Sequence, residues 1–198
     1  MNHYYIIYKP YQVLSQFSAV AEKKTLADFF KVPRDVYPVG RLDYDSEGLL
    51  LLTNDKLLNH RLLDPAFAHK REYLVQVDGA ITQEAINQLE QTVTIQVDGK
   101  PYHTKPCKAS ILVQEPLLPE RNPSIRFRKE IPAPWIRLIL AEGKNRQVRK
   151  MTAQVGFPTL RLVRYRIGSI ILENMQPGEM IKVERDTMYK KLFYDNNS

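Results

Sequence analysis

The chain has 198 residues, 43% of them apolar, one cysteine and a formal charge of +7. That suffices for one domain or two closely packed lobes, and no segment approaches the ~20 apolar residues of a membrane span. The lone Cys107 rules out an internal disulfide, the start MNHYYIIYKPYQ has no export leader, and His103 and Cys107 lack the second cluster of a zinc site, so a cytoplasmic chain without a metal is expected.

Tyr4 to Tyr8 (YYIIY) is aromatic and β-branched and predicts a strand, which Lys9-Pro10 stops. Thr25 caps one or two helical turns over Thr25 to Phe30 (TLADFF), and Val36 to Val39 leads into a turn at Gly40. Gly40 to Asp55 reads GRLDYDSEGLLLLTND, in which an acidic turn closes at Gly48 into four consecutive leucines. Such a run is long enough for a fully buried strand and short for a helix. Asp55 to Leu63, with leucines at 57, 58, 62 and 63, is a short helix that Asp64-Pro65 ends. Lys70 to Asp78 (KREYLVQVD) alternates as a strand, with Tyr73, Val75 and Val77 on one face. Thr82 to Gln91 carries a cap and a stripe of Ala85, Ile86 and Leu89, the pattern of a helix.

Val93 to Val97 and Ala109 to Val113 are further strands, joined by a polar, proline-containing connection. Leu117 to Pro134 is proline-rich, basic and aperiodic, an ordered surface loop. Trp135 to Ala141 (WIRLILA) is an apolar strand. Glu142-Gly143 then turns the chain into a helix capped by Asn145, with Val148, Met151, Thr152 and Val155 inward and Arg146, Arg149 and Lys150 on another face. Thr159 to Ile167 (TLRLVRYRI) alternates with basic groups on both faces, Met180 to Val183 is a last strand, and Asp186 to Tyr194 a terminal helix. About ten strands and four helices, mostly strand beside strand, predict an α+β fold with a mixed, mainly antiparallel sheet.

Charge is unevenly spread. Arg121 to Arg166 holds twelve Lys and Arg against Glu130 and Glu142, a local +10 that leaves −3 on the remainder. Solubilising charge usually mixes its signs, whereas a one-signed stretch is a footprint for phosphate, most economically a nucleic acid.

Candidate chemistry lies in three segments: Asp43, Tyr73, and the cationic stretch from Arg146 to Lys150. A carboxylate beside a rigid strand is oriented before its substrate arrives, and Arg41, two residues before Asp43, points the same way in an extended backbone. The alternative is a surface turn in which Asp45 or Ser46 bonds nearby amides. An EF-hand loop is excluded, because its last ligand position holds Asn54 where a Glu is needed. A carboxylate, a phenol and a guanidinium, with no glycine-rich phosphate loop, suit a reaction at a sugar carbon rather than redox chemistry or phosphoryl transfer.

In order and spacing, GRLDYDSEGLLLLTND, KREYLVQV, EGKNRQVRKM and VGFPTLRLVRYRIG resemble the motifs of bacterial rRNA pseudouridine synthases of the RsuA type, from Lys9-Pro10 to Gly178. The stretch RNPSIRFRKEIPAPWIRLIL looks most like the branch that modifies large-subunit rRNA. The resemblance implies the pseudouridine synthase fold, two lobes around a basic cleft and no S4 domain, with residues 1–185 as catalytic domain and 186–198 as a C-terminal helix or tail. It implies that the chain, without any cofactor, isomerises one uridine of 23S rRNA, or of a large-subunit assembly intermediate, and a monomer is assumed. Asp43 would act on C1′ or remove the C2′ proton, Tyr73 would pack on the base, Arg149 would be the basic partner of the aspartate, and Leu162 would close the pocket. Arg41, Lys144, Arg146, Lys150, Arg161 and Arg164 are expected to bind RNA. From the residues alone, Tyr73 and Leu162 read equally as core side chains and Arg149 as a phosphate contact. Two other functions are compatible with these residues: a non-catalytic rRNA-binding assembly protein, and a small-molecule glycosidase using Asp45 or Glu47 as second carboxylate.

Overall fold

The computed structural model describes residues 1–125 and 130–194. Along the chain run β1 (Tyr4–Lys9), β2 (Val13–Leu14), β3 (Lys24–Thr25), β4 (Tyr37–Pro38), β5 (Glu47–Thr53), α1 (Lys56–Leu63), β6 (Arg71–Val77), α2 (Gln83–Glu90), β7 (Thr94–Val97), β8 (Lys100–His103), β9 (Lys108–Ile111), β10 (Trp135–Leu140), α3 (Gln147–Gln154), β11 (Thr159–Ile167), β12 (Ile170–Ile171), β13 (Met180–Lys182) and α4 (Arg185–Tyr189). They divide into two compact units, Met1–His69 with Val163–Ser198, and Lys70–Leu162, with the boundary inside β11. Parallel and antiparallel pairs both occur, so this is the α+β class with a mixed sheet. None of the described helices is long and apolar enough to cross a membrane.

In the first unit β1 and β5 run antiparallel, from Tyr4 opposite Thr53 to Lys9 opposite Gly48. The middle of β11 runs parallel to β5, with Val163 opposite Glu47 and Arg164 opposite Gly48, and β13 edges β1. The leucine run is the buried strand expected: Leu49 to Leu52 are each at most 1% exposed, and each contributes about 2 kcal/mol relative to an exposed position. Since side chains alternate along a strand, Leu50 and Leu52 enter one core with Tyr5, Ile7, Leu26 and Phe30. The other face carries Tyr4, whose hydroxyl donates to Asp55 Oδ2 (2.7 Å), as does the Tyr189 hydroxyl from α4 (2.8 Å). Asp55 Oδ1 accepts from the N–H groups of Leu57 (2.9 Å) and Leu58 (3.2 Å), which caps α1. Burial pushes this carboxyl up, but the hydroxyl and amide donors outweigh it and hold it below the usual carboxylate range. The helix expected over Thr25 to Phe30 is a single 3₁₀ turn, Leu26–Asp28, whose Asp28 carboxylate accepts from the Thr25 N–H (2.7 Å).

In the second unit β10 is central, antiparallel to β6 on one side and to β9 on the other, with Leu138 opposite Tyr73. α2 starts at Thr82, whose Oγ accepts from the Ala85 N–H (3.3 Å), and turns Ala85, Ile86 and Leu89 into a core that also takes Val148 and Met151 of α3. Where a plain connection was expected, β7 and β8 form a hairpin. Its two-residue turn is Asp98-Gly99, with φ of 51° and 76°, the backbone that favours Asp-Gly in tight hairpins. The start of α3 also differs from expectation: Arg146, at φ 54°, is the N-cap in place of Asn145. Of the loop expected over Leu117 to Pro134, residues 126–129 lie outside the described residues, as do residues 195–198 of the C-terminal segment. Before them, a π-helical turn, Lys190–Tyr194, continues α4.

Candidate active site

Asp43 opens a β-turn closed by the Ser46 N–H, which donates to Asp43 O (3.1 Å), with Tyr44 and Asp45 at the tip. Aspartate at the first position and two residues free to face outward are what such a turn prefers. Leu42, just before it, is buried, and one oxygen serves both of its backbone groups. Ser15 Oγ accepts from the Leu42 N–H (3.0 Å) and donates to Leu42 O (2.7 Å). Past the aspartate, the Gln12 N–H donates to Tyr44 O (2.9 Å). The segment after β1 therefore grips the turn on either side of Asp43, which is itself half-buried, while Arg41 is exposed.

Beneath the turn lie buried charges. Lys9 is wholly buried, its Nζ donating to Pro10 O (2.8 Å) and Val13 O (2.7 Å). Burial pushes its amine down to about 7, against the opposing pull of the nearby Glu47 carboxylate. Glu47 Oε1 accepts from the Tyr8 hydroxyl (2.8 Å), and Arg164 Nε donates to Leu49 O (2.7 Å). Gly48 lies between these groups at φ +110°, and a Cβ there would sit 2.5 Å from Arg164 O. Only glycine lets β5 and β11 approach this closely at the end of the aspartate turn.

Of the other expected site residues, Arg164 belongs to the first unit and the rest to the second. Tyr73 is half-buried in β6 and packs against the core cluster that contains Leu162, which is 5% exposed. Arg149, half-buried on α3, donates from Nη1 to Thr159 O (3.4 Å). Lys144 and Arg146 are exposed and Lys150 is half-buried. Their loop is anchored by Glu142, whose Oε2 accepts from the Tyr102 hydroxyl (2.6 Å) and whose Oε1 accepts from the Lys105 N–H (2.9 Å) and from Gln147 Nε2 (2.6 Å). The bond to Glu142, with burial, pushes the Tyr102 hydroxyl up to about 12.

Arg161 and Arg164, expected to bind RNA, are both buried. Arg161, 7% exposed, donates from Nη2 to Pro119 O (2.8 Å) and lies 5.7 Å from the Trp135 ring. Arg164, 4% exposed, serves the β5 backbone as described. Both hold strand and loop backbone from within; alternation alone could not show that β11 is buried on both faces. Ser15, Lys9, Tyr102, Glu142 and Gln147 were not anticipated. A serine in a polar stretch carries no local signal when it acts on a residue 27 positions away, and nothing local shows that a lysine before proline will be buried. Cys107, half-buried against the core of the second unit, donates to Leu89 O (3.0 Å), and burial pushes its thiol up to about 12.

A family model described as RNA pseudouridylate synthase matches residues 3–154. This chain belongs to that family. A ribosomal large subunit pseudouridine synthase E from Vibrio vulnificus (strain CMCP6) is 49% identical over 174 residues, spanning 88% of this chain and 72% of that protein. Its counterpart from Xanthomonas axonopodis pv. citri (strain 306) is 48% identical over 174 residues, spanning 87% of this chain and 89% of that one. A crystal structure of a pseudouridylate synthase superposes with a TM-score of 0.77 at 25% identity, covering 97% of this chain and 74% of that chain. The chain is accordingly an RNA pseudouridine synthase, an isomerase with the fold its motifs implied, and the binding-only and glycosidase readings are set aside.

Proposed function

We propose that this enzyme converts a uridine of large-subunit ribosomal RNA to pseudouridine, with Asp43 acting at the ribose of a nucleotide flipped out of the RNA. The observation that carries the assignment is the double grip of Ser15 on Leu42, with the turn bond from Ser46, which fixes the backbone on both sides of one partly exposed carboxylate. Fixing such a group in advance spares the cost of orienting it during the reaction. The relatives from Vibrio and Xanthomonas are named for the ribosomal large subunit, which supports its RNA as the substrate, and a cytoplasmic, monomeric enzyme accords with it.

The reaction breaks the bond from N1 to C1′, turns the uracil, and joins C5 to C1′; C5 loses its proton and N1 ends with one, so no atom is exchanged. Asp43 either attacks C1′ or removes the C2′ proton, and the two routes share its ionised carboxylate. Tyr73 packs on the base and assists loss of the C5 proton, Arg149 is the cationic partner of the aspartate, and Leu162 closes the pocket. Arg41, Lys144, Arg146 and Lys150 hold phosphates, offsetting the few kcal/mol that flipping costs.

Asp43→Asn keeps the shape and removes the charge. The expected result is RNA binding within about twofold of wild type and turnover lower by about 10³-fold or more, read by mapping pseudouridine in rRNA from cells carrying either form. Modification that survives the change rejects Asp43 as the catalyst.

A further inference from the structure

The β7–β8 hairpin has no part in the chemistry above, yet its Tyr102 reaches the basic loop from two directions. Its hydroxyl donates to Glu142 Oε2 (2.6 Å), and its ring lies under Lys144 Nζ, 4.7 Å from the centroid. Glu142 in turn holds Gln147 Nε2 (2.6 Å) and the Lys105 N–H (2.9 Å), while Gln147 Oε1 accepts from the Lys144 N–H (2.9 Å). Glu142 and Gln147 are buried, whereas Gly143, Lys144, Asn145 and Arg146 between them are all exposed. The loop is thus clamped at both feet and solvated at its crest. Arg146 at the crest holds φ 54°, a left-handed backbone that a non-glycine residue keeps only when its surroundings enforce it.

We propose that Tyr102 is a positioning residue for RNA binding, holding the Lys144–Arg146 crest through Glu142 and seating Lys144 on its ring so that the cations meet RNA phosphates in one geometry. Lysine loses much rotamer freedom when it binds. A side chain already resting on an aromatic face has less to lose. The proposal rests on the RNA-binding role given above to Lys144 and Arg146.

Tyr102→Phe removes one hydroxyl and keeps the ring; Tyr102→Leu removes both. Steady-state isomerisation of an rRNA fragment should show KM raised about tenfold in Tyr102→Phe and further in Tyr102→Leu, with kcat retained. The slope of log affinity against log salt should become shallower by up to about one unit, as for Lys144→Ala. The double variant Tyr102→Phe with Lys144→Ala should lose clearly less than the sum of the two single losses, because part of what the tyrosine does runs through the lysine. Additive losses, or a lowered melting temperature with KM and salt slope unchanged, overturn the proposal and leave a merely structural tyrosine. Wild-type enzyme inactive on every rRNA fragment, by contrast, counts against the functional reading and not against the clamp. Should Tyr102→Leu fail to fold, Tyr102→Phe alone decides.

Discussion

Replacing Ser15 with alanine removes the one atom on which both backbone groups of Leu42 depend. The two bonds are 2.7 and 3.0 Å, and Ser15 and Leu42 are each 7% exposed, so water does not readily take their place. A buried backbone group left unpaired costs about 1 to 3 kcal/mol. Two of them, allowing for partial relaxation, place the loss near ~3 kcal/mol, or a fall in melting temperature of about 6 to 12 °C for a chain of this size. Catalysis should suffer separately, since Asp43 is the next residue: a displacement of about 1 Å is worth about 100-fold in turnover. Thermal melting followed by circular dichroism gives the first quantity, and single-turnover release of tritium from C5-labelled uridine in RNA gives the second. Ser15→Thr keeps the hydroxyl and should restore most of both. A Ser15→Ala enzyme with wild-type melting and wild-type turnover would refute the idea that this serine holds the catalytic turn.

Gly48→Ala should cost about 3 kcal/mol or more, combining a side chain at φ +110° with a Cβ 2.5 Å from Arg164 O; a soluble variant melting with the wild type contradicts this close approach. Lys9 sets a pH dependence whose sign can be worked out. Unfolded, its amine keeps a proton to its ordinary value of 10.5, whereas in the folded chain it releases the proton near about 7. Between those values the unfolded state binds more protons, so stability rises with pH there, and below about pH 7 this residue contributes no slope. Lys9→Met should flatten that rise in urea titrations taken from pH 7 to 10; an identical slope in both proteins refutes the assignment.

Much of the fold was legible because its signals were local. The leucine run, the alternation of KREYLVQVD, the leucine spacing after Asp55 and the Thr82 cap each act over a few residues, and each element formed where its pattern lay. The β8 strand was missed although Asp98-Gly99 announced a tight turn, since Pro101 argued against a strand; it occurs in a two-stranded ribbon, where one missing N–H is tolerated. At the site, GRLD pointed to Asp43, but nothing near Ser15 shows that its hydroxyl will close on Leu42, 27 residues on. The burial of the arginines of β11 was hidden for a related reason. Positive charge on a strand reads as surface, and only three-dimensional packing shows Arg161 and Arg164 buried, each with one donor on a backbone carbonyl.

One unit is continuous in the chain, from Lys70 to Leu162, while the other is assembled from residues on both sides of it. During synthesis, therefore, the nascent chain carries the Asp43 turn long before Arg164 exists to close against Gly48, and longer still before Tyr189 arrives to meet Asp55. Every strand of the continuous unit has by then been made, so its maturation precedes that of the half bearing the aspartate, and a polypeptide released early carries the Asp43 turn without β11 beside Gly48.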